Sequence, residues 1–482
     1  MWRRIVNVAA GACLAVGAIL QWLGLRKRRD PWRAAAGINL RVESAKFTLT
    51  AFGLGGGKHA PVDFAVKLRE FLAGEKLMYV AVENRRSCTK AVPLRCVDIT
   101  LAEYAETGEL LEIEPVLDPK NAPEIDAAGR GKVHRALLRA INSTQLVPVL
   151  ERPDEILRIV GSGCDERNAV VYAKRLLQGA FLAFDRNGDR FAPPDPAIFR
   201  HPGTGLLNFT VRSQADGSTD LWMQVHHMPV DGAPMQELLD RLRARFGVVG
   251  EVRFPAPGET RKTNGPRLRG ERDLVIETGS FDFTGLLELR KKLNEKYRGV
   301  LSEGVAIGAL LAWRLAHQCG FEGINFAIVA DVPKGVADPR GVDFVVIRPG
   351  EYFRGGSEDA GFVVYANEFS RRLALVRARQ SRTIRTMKKT ALLPAGIAFL
   401  GTKLNAGVRE RVFGTCGITI LKSAEIFLAP MARIGFERGF LAIGNMRLPS
   451  QDGGHVGEVS IKGEANAIAG YLDALRKALI AE

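Results

Sequence analysis

Between Leu221 and Leu239 the chain reads LWMQVHHMPVDGAPMQELL, and two different spacings of apolar residues meet there. The apolar stretch Leu221 to Val225 predicts a strand. The 3.6-residue recurrence of Met235, Leu238, Leu239 and Leu242 predicts an amphipathic helix over 233–246. Four polar or small residues, His226, His227, Asp231 and Gly232, are left in the turn between them. Elsewhere the pattern also alternates strand with helix, which points to an α/β protein. Leu40 to Phe52 is strand-like and 62–72 helical. Ile324 to Pro333 predicts a buried strand ending at a proline, and 465–480 predicts a C-terminal helix.

Two distant stretches share a further pattern. Val92 to Tyr104 (VPLRCVDITLAEY) runs apolar to Asp98-Ile99-Thr100 and then predicts a helix start. Ser280 to Lys292 (SFDFTGLLELRKK) runs to Asp282-Phe283-Thr284 and then a helix bearing Leu286, Leu287 and Leu289. A second helix is expected after each, over 133–141 and 305–317. Asp or Thr caps helices for local reasons, so the match alone also fits coincidence. Val252 to Arg272, rich in Pro, Gly and charge, reads as an exposed linker between the halves. The expected organisation is an N-terminal helix over 1–33, a first half over 34–250, a crossover linker over 251–272 and a second half over 273–482.

The N-terminal helix changes the picture of location. Ile5 to Leu25 has only Asn7 and Gln21 as clearly polar residues, about the length that crosses a bilayer's hydrocarbon core. A cleaved signal peptide and a helix lying in the interface are the rival readings. The cluster Arg26 to Arg33 outweighs Arg3 and Arg4, so the positive-inside rule leaves the body in the cytoplasm, with Trp22 and Trp32 suited to an interface. The formal net charge of the 482 residues is +15. Such a surplus fits a polyanionic partner: an anionic bilayer, a phosphorylated cofactor such as coenzyme A, or, last in rank, nucleic acid, for which no reading motif is present. Cys13, Cys88, Cys96, Cys164, Cys319 and Cys416 form no CxxC pair, which argues against a zinc module or disulfide framework and for a reducing compartment.

The turn at 226–232 carries the candidate chemistry. An imidazole at the end of a buried strand is held in one orientation and can take a proton from a hydroxyl, thiol or amine. A metal site is disfavoured, because adjacent residues at a strand end point apart and no second His or Cys pair stands at ligand spacing. The motif HHxxxDG in its strand-turn-helix setting resembles the acyltransferase superfamily that includes chloramphenicol acetyltransferase, dihydrolipoyl acyltransferase cores, condensation domains and wax ester synthases. The run Ser87 to Thr100 resembles the opening of that fold. The resemblance implies two fused chloramphenicol acetyltransferase-like halves with mixed sheets, one retaining its site. In the second half Ser460 falls near the base position and Glu464 near that of the aspartate.

By the same resemblance His227 is the general base, His226 its neighbour in the motif, Asp231 a structural brace and Gly232 the residue that permits the turn. No cofactor is implied as permanently bound. A coenzyme A thioester is the implied co-substrate, and an alcohol or amine the acceptor. The family's oxyanion hydroxyl maps to the stretch Gly417 to Ser423 (GITILKS), where Leu421 occupies the hydroxyl position. Thr419, two residues earlier on the same strand face, is the substitute. The rival to the enzyme is an inactive member of the fold that binds a lipid, a coenzyme or a protein.

Three further stretches stand apart from the motif. Gly53 to Lys58 lacks phosphate-loop spacing and reads as a turn or loop. Arg348-Pro349 is a displaced candidate for an Arg-Pro turn of the family. Arg371 to Lys389 is basic without an acidic residue, read as a solvated helix face or, second, a lipid or coenzyme-phosphate surface. The apolar segment 390–404 that follows is too short to span a bilayer and is expected as a core or interfacial helix.

Overall fold

Two mixed sheets form the framework of this protein, known here from a computed structural model. It describes residues 2–23, 46–54, 61–75, 77–85, 88–94, 98–104, 110–115, 179–185, 189–194, 205–226, 232–247, 260–264, 274–332, 342–353, 358–390, 392–393, 395–421, 424–428, 436–444 and 455–480. The chain divides into two units, the first formed chiefly by Val16–Arg253. The second comprises Phe254–Pro333 and Gly341–Glu482 together with Met1–Ala15.

The chain begins with α1 (Trp2–Trp22), half-buried along the face of Val6, Ala9, Ala10, Cys13, Leu14 and Leu20 and exposed at Ile5, Val8, Val16, Ile19 and Trp22. Its described contacts with the second unit include a hydrogen bond from Asn405 Nδ2 to Asn7 Oδ1, 3.2 Å.

The first unit then runs β1 (Lys46–Leu54), α2 (Pro61–Gly74), the separate hairpin β2 (Leu77–Arg85) and β3 (Cys88–Leu94), β4 (Asp98–Tyr104), β5 (Leu110–Pro115), β6 (Gly179–Asp185), β7 (Leu207–Ser213), β8 (Thr219–His226) and α3 (Gly232–Phe246). Its mixed sheet has the order β1-β8-β7-β6-β4-β5, parallel at β7/β6 and β6/β4 and antiparallel elsewhere. Register sorts its residues by face. Phe47, Leu49, Leu207, Phe209, Met223 and Val225 share one side, against which α2 and α3 pack. Phe64 of α2 lies 6.2 Å from Phe184 and 5.3 Å from Phe246, ring to ring. Met235, Leu238, Leu239 and Leu242 are buried, which is the stripe read from their spacing.

The second unit runs β9 (Thr260–Asn264), β10 (Leu274–Asp282), α4 (Thr284–Lys296), α5 (Ile307–Cys319), β11 (Phe326–Asp331), β12 (Val342–Ile347), a 3-10 turn (Pro349–Tyr352), α6 (Glu358–Arg377), α7 (Arg382–Thr390), α8 (Ala395–Leu404), α9 (Ala406–Phe413), β13 (Cys416–Ile420), β14 (Phe440–Ile443), β15 (Val456–Glu464), α10 (Ala465–Ile468) and α11 (Tyr471–Leu479). The sheet order is β12-β11-β13-β14-β15-β10-β9. One face, with Phe281, Phe326, Ile418, Leu441 and Ile461, packs with residues of α5, α6 and α11 in one core around Trp313 and Tyr365. The Tyr365 hydroxyl donates to Ala309 O at 2.9 Å, so the buried phenol is satisfied.

The two sheets repeat one topology. Walking from β1 through β8, β7, β6 and β4 to β5, successive pairs are antiparallel, antiparallel, parallel, parallel and antiparallel. Walking from β10 through β15, β14, β13 and β11 to β12 gives the same series. The internal repeat is therefore present, but with a correspondence different from the one expected. Asp98 opens a strand, whereas Asp282 closes one. Ile99 and Leu101, two residues apart and both buried, give this stretch the period of a strand. Asp282 Oδ1 instead accepts the N–H of Thr284 at 2.8 Å and starts a helix. By topology the counterpart of β10 is β1, each strand being followed by a helix.

Two more expectations change. Part of the linker, β9, is instead a strand paired antiparallel with β10, with Thr260 and Thr263 supplying strand propensity. The C-terminal helix is broken, because Ala469 turns extended after α10 and Gly470, at φ 80°, takes a left-handed conformation just before α11. The expected helix over 133–141 and the loop after Gly53 to Leu54 lie outside the described residues.

Candidate functional site

Each sheet has a second face, without the helical core, on which buried polar side chains gather. In the first unit the strand Thr219–His226 alternates, so that Trp222, Gln224 and His226 share the side opposite Leu221, Met223 and Val225. Register places Thr50 and Thr210 beside Trp222, and Thr48 and Asn208 beside Gln224. All are buried. Among the described residues Thr50 Oγ1, Trp222 Nε1 and Gln224 Oε1 have no hydrogen-bond partner. Leaving such groups dry and unpaired costs about 1–3 kcal/mol each, so this face suits water or a polar ligand.

His226 ends β8 fully buried, and its backbone N–H donates to Leu206 O at 2.9 Å. Asn208 locks the same end of the sheet, accepting from Gly205 N at 2.8 Å and donating to Gly205 O at 3.0 Å. Gly232 opens α3, and a Cβ there would meet no described atom within 4 Å. His227 and Asp231 lie outside the described residues, between a strand and a helix that both stand where the sequence put them.

At the far end of β8 a buried carboxylate is fully occupied. Asp220 accepts from Arg190 Nε at 2.8 Å, Gln214 Nε2 at 2.6 Å and Gly53 N at 3.0 Å. Arg212 pairs with Asp185 at 2.9 Å and stands over the Trp222 ring, 5.6 Å from its centroid. These charges are matched and hold strands together, which makes them structural.

In the second unit Thr419 lies on the face opposite Ile418 and the core. Parallel pairing sets it beside Ala442, antiparallel pairing sets Ala442 beside Ser460, and Ser460 stands beside Thr278. One row across four strands thus reads Thr419, Ala442, Ser460, Thr278, with Ser280 and Glu458 paired in the adjoining row. All three hydroxyl residues of the row are buried. Ser460 sits in mid-strand, and β15 runs to Glu464 with α10 beginning at the next residue. No turn separates them, so the expected analogy of Ser460 with the base position and Glu464 with the aspartate fails: the second unit has no room for a motif loop. Leu421 follows β13 and donates its N–H to Ile443 O at 2.9 Å, while Ser423 is outside the described residues. Ser460 and Thr278 were not singled out as partners of Thr419 in the sequence, since only strand order brings them into line.

No protein-family model matches this sequence, and no curated protein matches it. Solved structures do match at very low identity, some over nearly the whole chain and others over less than half of it. The starter condensation domain of rhizomide synthetase, crystallised as a mutant with C8-CoA, is 9% identical over 95% of this chain and 94% of its own, with a TM-score of 0.46. A condensation domain that mediates chain release from the enacyloxin polyketide synthase is 14% identical over 95% of this chain and 80% of its own, TM-score 0.37. The dihydrolipoamide acetyltransferase of Azotobacter vinelandii is 14% identical and covers 44% of this chain and 82% of its own, TM-score 0.28. The class of the protein is α/β with two mixed sheets, and its structural matches are to condensation domains and dihydrolipoamide acetyltransferases.

Proposed function

We propose that this chain is an acyltransferase that moves an acyl group from a thioester, acyl-CoA in the first instance, to an alcohol or amine. The observation that supports the reading is the complete HHxxxDG sequence, His226 to Gly232, held between the buried strand Thr219–His226 and the helix Gly232–Phe246. In this reading His227 takes the proton from the acceptor as its oxygen or nitrogen attacks the thioester carbonyl. The tetrahedral intermediate collapses by breaking the C–S bond, and the departing thiolate takes the proton back from the imidazolium. Asp231 braces the turn. Thr419, a buried hydroxyl, is the proposed donor to the oxyanion. One of the solved structures above holds C8-CoA; for this chain the donor is proposed from the motif.

The test measures free thiol released from acyl-CoA in the presence of candidate alcohols and amines. His227→Ala should lower turnover by about two to four orders of magnitude, the usual contribution of a general base. His226→Ala should cost less, since His226 is a packed strand residue. Equal turnover in wild type and His227→Ala would sink the enzyme reading and leave the alternative, an inactive member of the fold that binds a lipid, coenzyme or protein.

The same proposal places the body in the cytoplasm and holds it to a membrane through α1. The support is the stretch Ile5–Trp22, of mean hydropathy 1.8 and with only 6% of its residues buried.

A further inference from the structure

The outer edge of the second sheet carries a cavity of about 420 Å³ that the proposed chemistry does not use. Its apolar floor is built from Phe344 of the edge strand β12 and from Leu375 and Val376 of α6. Six guanidinium groups line it: Arg348, Arg371, Arg372, Arg382, Arg385 and Arg411. The basic stretch of the sequence therefore does not merely coat a helix. The bend between α6 and α7 turns it inward around one hollow, with Ser381 and Thr383 also on the wall.

The counter-charges around the cavity decide what it can take. Glu368 accepts from Arg371 Nε at 2.6 Å, Arg371 Nη2 at 2.8 Å and Arg372 Nε at 2.6 Å. Arg372 also donates to Val346 O at 2.5 Å and so covers the free edge of β12. Arg348 has only a loose contact with Glu410, 3.8 Å, and its Nε is buried without a partner among the described residues. Arg411 donates to Gly407 O at 2.7 Å and meets no described carboxylate. Arg382 and Arg385 have no described carboxylate partner. Glu351 is the one acidic residue on the wall. With Glu368 and Glu410 outside it, three carboxylates face six guanidiniums.

A surplus of this size repels itself unless an anion neutralises it. A phosphate ester, carrying about −1.5 to −2 at neutral pH, answers it with oxygens that guanidinium forks grip in pairs. The hydroxyl of Ser381 accepts Ile384 N at 3.1 Å and caps α7, so the positive end of that helix adds to the same field. The apolar floor gives the organic part of the ligand a place to lie, and the volume is at the lower end of small-molecule sites. We propose that this cavity binds an organic phosphate, its phosphoryl group held by Arg382, Arg385 and Arg411. The same chemistry is offered by a soluble phosphate ester such as coenzyme A and by a phospholipid headgroup.

The full chain in detergent is titrated calorimetrically with inorganic pyrophosphate and with coenzyme A, and its sedimentation with phosphatidylcholine vesicles is compared with and without phosphatidic acid. Arg382→Gln/Arg385→Gln should weaken binding of the soluble probes by about tenfold or more if the source is soluble. If the source is the bilayer, it should instead abolish the gain in sedimentation that phosphatidic acid gives. Both arginines are exposed, so the variant is expected to fold, and circular dichroism checks this; Arg385→Gln alone serves if it does not. Lys388→Gln/Lys389→Gln removes the same charge from α7 outside the cavity and should leave binding as in wild type. Binding of none of the probes, or equal weakening by the two double variants, would overturn the site. His227→Ala should bind pyrophosphate like wild type, so loss of acyl transfer and loss of this site are read separately.

Discussion

At the scale of single residues, strand alternation decides which side chains face chemistry and which face the core. Thr419 and Ile418 are neighbours with opposite destinies: Ile418 packs in the helical core, and Thr419 joins Ser460 and Thr278 in a buried hydroxyl row. If Thr419 stabilises the oxyanion, Thr419→Val should lower kcat by about 10² to 10³ with little change in KM, as loss of one such donor does elsewhere. Thr419→Ser should restore most of it, and an unchanged kcat in the Val variant would remove Thr419 from the mechanism. Two residues earlier, Gly417 has no room for a side chain, since an added Cβ would lie 2.3 Å from Cδ2 of Phe440. Gly417→Ala is expected to cost about 1–3 kcal/mol through overpacking, measured by denaturant unfolding. That Thr419 shares a face with position 421 was legible from the period of two. That Ser460 and Thr278 complete its row was not, because β13, β14, β15 and β10 are distant in sequence and pairing between them leaves no local periodicity.

At the scale of elements, the sequence was clear where a period is long and ambiguous where an element is brief. The helix over Gly232–Phe246 was legible because its apolar stripe, Met235, Leu238, Leu239 and Leu242, recurs at helical spacing over about two turns. The Asp98-Ile99-Thr100 stretch misled because Asp-x-Thr fits a helix start and a strand start equally, and only Ile99 with Leu101 distinguishes them. The α6 helix supplies a pH test. Its Glu368 is held down to about 2, first by hydrogen bonding to Arg371 and then by Arg372. A carboxylate depressed in the folded state stabilises that state above its unfolded value, near 4.5, and the contribution disappears as pH falls toward 2. Thermal melts from pH 5 downward should therefore show a steeper loss of Tm in wild type than in Glu368→Gln, with the two curves converging at the acid end. Parallel curves would mean that the pair does not stabilise the fold.

At the scale of the whole molecule, the repeat and the N-terminal helix are separate matters. Two sheets with one order of parallel and antiparallel neighbours make each unit a version of the other, but the sequence match of 92–104 with 280–292 paired stretches that do not correspond. β1 and β10 correspond in topology yet share no obvious wording, since fold is kept by face polarity and not by particular residues. The helix α1 belongs to neither repeat. Val8, Val16, Ile19 and Trp22 are all more than half exposed to solvent, a surface that water does not favour. Burying an apolar stretch of this length in a bilayer would satisfy it, with the backbone already hydrogen-bonded internally.

Membrane fractionation distinguishes the three readings of that helix. A spanning anchor keeps the chain in the membrane pellet after alkaline carbonate washing, whereas an interfacial helix is released by the wash. A cleaved signal gives a mature chain whose mass lacks the first segment. Deleting residues 1–25 should move the protein to the soluble fraction with its circular dichroism and His227-dependent turnover intact. The reason is that α1 is covered only partly and along one face, which includes Val6, Ala9, Ala10, Cys13, Leu14 and Leu20, while Val8, Val16, Ile19 and Trp22 on its other side stay exposed. A truncated chain that aggregates or unfolds would mean instead that α1 completes the second unit, and the anchor would have to be abandoned.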